Sequence, residues 1–225
     1  MESHRPGALA SLIDHTLLRA DATSAQVDEL CAQAVHYGFA AVCVGSWHVR
    51  RSAETLKGTK VAVCSVAGFP LGASTAWVKS TEAQGAVGDG ATEIDMVINI
   101  GALKSGRRDV IEDELSLARR SIGKTLLKVI LELPLLSVAE AEEGCRIAIA
   151  CGADYVKTCT GFGARGVTVE DVTALRRIAG PAVGVKAAGG IKTLAFARRL
   201  VAAGATRLGT SSGAAIAQEE LAEGL

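Results

Sequence analysis

Five charged residues stand in stretches that otherwise read as apolar strands. Asp95 interrupts Glu93-Ile-Asp-Met-Val-Ile-Asn99, Lys157 closes Asp154-Tyr-Val-Lys-Thr158 and Lys186 closes Val183-Gly-Val-Lys186. Lys128 and Glu132 lie in Leu126-Leu-Lys-Val-Ile-Leu-Glu132. Burying an unpaired charge costs several kcal/mol, so such groups are paired, neutral or functional. A lysine amine is a nucleophile only when deprotonated, and its ordinary pKa is about 10.4. Apolar burial and a neighbouring ammonium both lower that value. Lys157 and Lys186 close consecutive strands, so they can approach one another, an arrangement suited to Schiff-base formation with a carbonyl substrate. Asp95 would then shuttle protons, directly or through a water. The competing reading is a buried Asp–Lys ion pair without catalytic duty.

Regular elements must carry these residues. Strands are expected at Leu12–Asp14, Ala40–Val44, Val61–Val66, Glu93–Ile98, Leu126–Leu131, Ala153–Thr158, Val183–Lys186 and Thr206–Gly209. Between them, apolar residues at three- and four-residue spacing predict helices at Ala25–Tyr37, Trp47–Leu56, Thr75–Val87, Val110–Ile122, Val138–Ala150, Val169–Ile178 and Thr193–Ala203, with Ala214–Leu221 last. Ser24, Ser74, Ser137 and Thr168 read as helix starts, and Ser137-Val-Ala-Glu140 fits a capping box. Gly38, Gly88, Gly152, Gly180 and Gly204 read as helix ends. Roughly eight strand–helix units of about 28 residues imply an α/β fold, a single (β/α)8 TIM barrel over residues 1–225, with residues 1–10 as an N-terminal extension. A doubly wound open sheet is the alternative. In a barrel the strand-end charges fall at the face where active sites form.

Composition narrows the classes. The 24 basic residues balance 24 acidic ones, and only 4% of side chains are aromatic, which argues against a nucleic-acid partner. A 49% hydrophobic share supplies a core. No apolar run approaches a membrane span, and the opening MESHRPGALA lacks the apolar stretch of a secretory signal. Six cysteines without a CxxC pair, and histidines (His4, His36, His48) without ligand spacing, predict reduced thiols in a cytoplasmic protein and no metal or other cofactor.

A second signal concerns phosphate. Ala187-Ala-Gly-Gly-Ile-Lys-Thr193 follows the seventh strand, and Gly209-Thr-Ser-Ser-Gly213 follows the eighth just before a helix. Glycines admit backbone N–H groups close to an anion, and the loops after strands seven and eight often hold phosphate in such barrels. Two ordinary turns are the bland reading.

Taken in order, Ile13-Asp-His-Thr-Leu17, Ala41-Val-Cys-Val44, Gly68-Phe-Pro-Leu-Gly72, Glu93-Ile-Asp-Met-Val-Ile-Asn99, Leu127-Lys-Val-Ile130, Tyr155-Val-Lys-Thr-Cys-Thr-Gly161, Gly184-Val-Lys-Ala-Ala-Gly-Gly190 and Gly209-Thr-Ser-Ser-Gly213 resemble the deoxyribose-phosphate aldolase family. The resemblance implies a class I, metal-independent aldehyde-lyase of deoxyribonucleotide catabolism. Its reaction reversibly cleaves 2-deoxy-D-ribose 5-phosphate to acetaldehyde and D-glyceraldehyde 3-phosphate. It implies that Lys157 forms the Schiff base, that Lys186 keeps Lys157 partly neutral, and that Asp95 belongs to the proton relay. Gly189, Gly190, Gly209, Ser211 and Ser212 would hold the substrate phosphate, with Asp14, Thr16 and Cys43 lining the pocket. The partner is thus a small phosphosugar, and a homo-oligomer, a dimer, is expected.

The sequence departs from the family pattern in places. Ala188 stands where members read Ser, Leu133-Pro134 follows Glu132 where Thr is common, and Gly45 replaces an Asn. Phe162 follows Thr160-Gly161 where some members have Lys, leaving Lys192 as a cation for the phosphate, and the end Glu223-Gly-Leu225 lacks the tyrosine some members use. His15 reads as a hydrogen-bonded structural residue, Cys159 as a buried thiol and Lys128 as a partner of Asp95 or Glu132. Two other readings compete: a sugar-phosphate isomerase using a carboxylate base, and a phosphosugar-binding regulator without activity.

Overall fold

Alternation of side chains along each strand decides where the charges go. The computed structural model describes residues 9–223. It holds eight parallel strands: β1 (Ile13–Leu17), β2 (Ala41–Val44), β3 (Ala62–Ala67), β4 (Glu93–Val97), β5 (Leu126–Ile130), β6 (Tyr155–Lys157), β7 (Gly184–Ala188) and β8 (Arg207–Thr210). They pair in chain order, and β1 pairs with β8, closing the barrel. The open-sheet alternative is thereby excluded. Every expected strand is present, with ends shifted by a few residues.

Helices cover the outer face: α1 (Ser24–Tyr37), α2 (Val49–Thr55), α3 (Ala76–Gly88), α4 (Ile100–Lys104), α5 (Arg108–Ile122), α6 (Val138–Ala150), α7 (Val169–Ala179), α8 (Leu194–Ala202) and α9 (Gly213–Glu223). The capping box at Ser137 and Glu140 is present, as are two more, at Thr23 and Gln26 and at Thr168 and Asp171. Two starts differ from expectation. Thr23 rather than Ser24 caps α1, and Thr75 rather than Ser74 caps α3, because in each case the neighbouring threonine takes the extended conformation that lets its hydroxyl reach back into the first turn. Gly38 and Gly180 close their helices, whereas Gly88 is the last helical residue of α3, and the left-handed turn falls at Gly90. Helix α4 was not expected. Asn99 starts it by accepting the Ala102 N–H, a local signal masked by the apolar run that precedes it.

Of the expected N-terminal extension, residues 1–8 (His4 among them) lie outside the described residues, as does the chain end after Glu223. Leu9 and Ala10 are buried in the core, and the Leu9 N–H is held by Glu220 of α9. Among the described residues no helix is long and apolar enough to cross a membrane.

The apolar core lies between the outer strand faces and the helices, built on residues such as Ile94, Met96, Leu127, Val129, Val156 and Leu208. The barrel interior is different. Ala41, Cys43, Cys64 and Val66 form a small apolar cluster on β2 and β3. Much of the remaining interior is charged: the register sets Asp95 beside Lys128, and Lys186 beside both Lys157 and Arg207.

Candidate active site

Asp95, wholly buried on β4, is the hub of the interior. Its Oδ1 accepts from Lys128 Nζ at 2.8 Å and Cys64 Sγ at 3.1 Å. Its Oδ2 accepts from Lys157 Nζ and from Lys186 Nζ, each at 2.7 Å. Lys186 also bonds Asp14 Oδ2, and Lys128 reaches Glu93 Oε2 at 2.6 Å. Arg207 completes the network, donating to Asp14 Oδ1 at 2.6 Å and to Glu93 Oε2 at 3.2 Å. Three acidic side chains therefore face four basic ones. Lys157 is the basic group with no acidic partner beyond the shared Asp95 oxygen.

The electrostatics follow from this packing. Burial by itself would raise the Asp14 carboxyl, but Lys186, Lys128 and Arg207 outweigh it and hold the group down to about 2. Asp95 behaves likewise: burial opposes ionisation, yet Lys128, Lys157 and Lys186 keep it well below the usual carboxylate range. Burial would lower Lys186 and Lys128, but the surrounding acidic groups raise both, so each stays an ammonium. The expected neighbouring cation of Lys157 is there, and the structure sets an anionic oxygen between the two.

Glycine at position 209 makes room for this. A Cβ there would fall 3.1 Å from Lys186 Cε and 3.1 Å from Ala188 Cβ, crowding the lysine's path to Asp95.

At the C-terminal ends of the strands a cavity of about 700 Å³ opens, within the range of small-ligand sites. Lys157, only 3% exposed, is the member of the charged network that reaches its wall. Thr16, Gly189, Gly190, Gly209, Ser211 and Lys192 line it. Gly189 and Gly190 both take left-handed backbone conformations, which turn the loop after β7 into the cavity rim. Ser212 lies beside that wall, its N–H donated to Thr210 Oγ1 at 2.9 Å. Asp14, Cys43, Asp95 and Lys186 are buried beneath the cavity rather than on its wall.

Thr160, Gly161 and Phe162, in the loop after β6, form another side. Phe162 is 54% exposed and stands edge-on to Phe69 at 5.3 Å between ring centres; Lys157 Nζ lies 6.0 Å from the Phe69 centre. The wall thus has an apolar aromatic corner and a glycine- and serine-rich side.

Sequence reasoning missed several members. Glu93 and Arg207 open their strands and were passed over, although each lies two residues from an interior position on the same strand (Asp95 and Gly209), so alternation places them on the same face. Lys128 pairs with Asp95 as expected, but with Glu93 rather than Glu132, because Glu132 turns away beyond the end of β5. His15 lines the cavity and is held by Gln33 Oε1 at 2.7 Å, a side-chain hydrogen bond consistent with a structural role. The α1 face that forms the cavity's far end, with Gln26 and Glu29, carried no recognisable signal.

Two sets of donors have cation-binding spacing: Cys43, Cys64 and Asp95, and Asp14, Cys64 and Glu93. Lys128 Nζ lies among both, bonded to Cys64 Sγ at 3.2 Å, Asp95 Oδ1 at 2.8 Å and Glu93 Oε2 at 2.6 Å. A protein ammonium thus already neutralises these donors.

Residues 8–219 match the family profile described as DeoC/LacD family aldolase. The deoxyribose-phosphate aldolase of Geobacillus sp. (strain WCH70) is 50% identical over 215 residues, 95% of this chain and 96% of the relative's. That of Shouchella clausii (strain KSM-K16) is 52% identical over 210 residues, 92% of this chain and 94% of the relative's. Among solved structures, an aldolase named QR15 superposes with a TM-score of 0.93 at 39% identity, covering 96% of this chain and 97% of its own. A tetrameric deoxyribose phosphate aldolase from Aeropyrum pernix superposes at 0.86 and 36% identity, covering 94% and 90%.

Proposed function

The chain belongs to the DeoC/LacD family of aldolases, and on that premise we propose that it is a class I aldolase reversibly cleaving 2-deoxy-D-ribose 5-phosphate to acetaldehyde and D-glyceraldehyde 3-phosphate. One observation carries the reading: an amine on the wall of a ligand-sized cavity shares a single carboxylate oxygen with a second lysine, itself held by Asp14. The cluster holds one basic group more than its acidic groups can match. Lys157 is the group whose sole acidic partner is a shared oxygen, and it is the one facing the cavity.

In this mechanism Lys157 Nζ attacks the C1 carbonyl of the open-chain sugar. Asp95, bonded to the same nitrogen, relays the protons that turn the carbinolamine's hydroxyl into water. The resulting iminium accepts the electron pair of the C2–C3 bond as that bond breaks, while the C3 hydroxyl passes its proton through a water to the Asp95 relay and C3 becomes the aldehyde carbon of glyceraldehyde 3-phosphate. Protonation of the enamine at C2 and hydrolysis release acetaldehyde and restore the amine. Gly189, Gly190, Ser211, Ser212 and Lys192 hold the phosphate at the rim, using the backbone N–H groups of the glycines and Ser211, the Ser212 hydroxyl and one cation. Asp14 and Cys43 support the cluster from below. Nothing in this scheme requires a cofactor.

Borohydride added with acetaldehyde tests the reading. A two-carbon adduct on Lys157 by peptide mass, absent in folded Lys157→Ala along with turnover, is the expected result. Turnover with no adduct would favour a carboxylate-base isomerase, and substrate binding without turnover a regulator. The cytoplasm is the proposed compartment, in keeping with six unpaired cysteines. A homodimer is the proposed assembly, with exposed Trp47, Leu71 and Trp77 supplying apolar surface; sedimentation of the purified chain checks it.

A further inference from the structure

Glu132 is, among the described residues, the one non-glycine with a left-handed backbone, φ 59° and ψ 57°. It follows β5 as an inserted residue. Leu131 N–H donates to Lys157 O at 3.1 Å, and Leu133 N–H donates to Thr158 O at 2.9 Å, so two steps along this strand answer one step along its neighbour. Bulges of this kind re-aim a side chain, and they recur beside active sites. Here the bulge turns a carboxylate under the loop that leaves the Schiff-base strand.

That carboxylate is 3% exposed, and half of its accepting capacity is unused. Oε2 accepts the Thr160 N–H at 3.0 Å, while Oε1 has no hydrogen-bond partner in the protein. Gly163 packs directly against it: a Cβ at that position would meet Oε1 at 3.0 Å. A left-handed glutamate and a half-satisfied buried carboxylate each cost stability, and such features persist where function requires them. The residues Glu132 touches are Thr160 and Gly163, which bracket the cavity-lining stretch Thr160–Phe162.

We propose that Glu132 is a positioning residue for the reaction, using its buried carboxylate to fix the backbone of Thr160 so that the Thr160–Phe162 wall stands against the substrate bound at Lys157. This rests on the assignment of Lys157 as the imine-forming residue. Glu132 touches neither substrate nor amine; it acts through the loop. The Lys157 backbone is held separately by the β5–β6 ladder, so loss of the carboxylate displaces the wall more than the amine.

Two substitutions in the full chain separate positioning from mere support. Glu132→Gly removes the carboxylate and also relieves the left-handed strain, so the variant melts near the wild type. Its KM for 2-deoxyribose 5-phosphate rises roughly tenfold, while borohydride trapping of acetaldehyde at Lys157 persists. Glu132→Gln keeps an oxygen for the Thr160 N–H and recovers most of that KM. If Glu132→Gly folds poorly, Glu132→Asn, whose side chain tolerates the left-handed region, is read for the same rise. Unchanged KM and kcat in a folded Glu132→Gly, or a Glu132→Gln as impaired as Glu132→Gly, would overturn the proposal. Failure of the wild type itself to trap acetaldehyde would overturn the assignment of Lys157 instead.

Discussion

Lys157 and Lys186 meet at one atom. Asp95 Oδ2 lies 2.7 Å from each ammonium nitrogen, which sets those nitrogens at most twice that distance apart with an anion between them. Direct repulsion between two lysines would be costly in a buried site; the shared oxygen makes the arrangement stable while leaving it short of negative charge. Lys186 is held by Asp14 as well, whereas Lys157 has the shared oxygen alone.

Lys186→Leu should cost activity while leaving the fold in place. It removes one of the two cations held at Asp95 Oδ2, so Lys157 is left as the one cation on that oxygen. kcat/KM near neutral pH falls about tenfold or more, read beside the far-UV circular dichroism of the variant. Unchanged kcat/KM in folded protein would contradict this account of the shared oxygen.

Acid should weaken the fold through the same network. The Asp14 carboxyl is about 2 in the folded chain against an ordinary 3.8. A depressed carboxylate contributes its stability above the unfolded value and loses it as pH falls through the folded one, here from about 4 down to about 2. The contribution is on the order of 2 kcal/mol. Urea unfolding followed by circular dichroism across that range should show the loss, with a shallower pH slope in Asp14→Asn.

Arg207 is the network's least obvious member and should be among its most sensitive. Arg207→Met takes the guanidinium from Asp14 Oδ1 and Glu93 Oε1 and leaves those buried acidic groups without that donor, at a cost of about 3–5 kcal/mol. Adding Glu93→Gln removes one of those groups and should recover part of the loss. Denaturant midpoints of the two singles and the double give the coupling; simple additivity would show that the pair does not interact.

Lys192 reports on the phosphate. It lines the cavity where Phe162 supplies no charge. Lys192→Ala should raise KM for the phosphorylated sugar about tenfold and barely alter turnover of unphosphorylated 2-deoxyribose. An equal effect on both substrates would place the lysine's role elsewhere.

Buried charge alone would have been a poor guide to the site. Lys79 is wholly buried too, yet it pairs with Glu114 at 2.7 Å between α3 and α5, outside the barrel interior, and Glu114 Oε1 in turn accepts the Asn99 N–H. It was not conspicuous because a lysine in an amphipathic helix is ordinary, whereas a lysine in a parallel strand contradicts the apolar rule for such strands. Asp95, Lys157 and Lys186 broke that rule visibly. Glu93 and Arg207 sit at strand beginnings, where a charge looks like the end of a loop.

The local pattern therefore determined the eight strands, some of the helix caps and the three strand charges on which the proposed chemistry depends, because periodicity and capping act over a few residues. Closure of the barrel decided which charges meet. Lys186 reaches Asp14 and Arg207 reaches the same carboxylate only because β8 pairs with β1, joining residues from opposite ends of the chain. It also decided that an anionic oxygen separates the two lysines and that Glu132 turns beneath the Thr160 loop. Those contacts depend on register and on one backbone conformation that no residue spacing records.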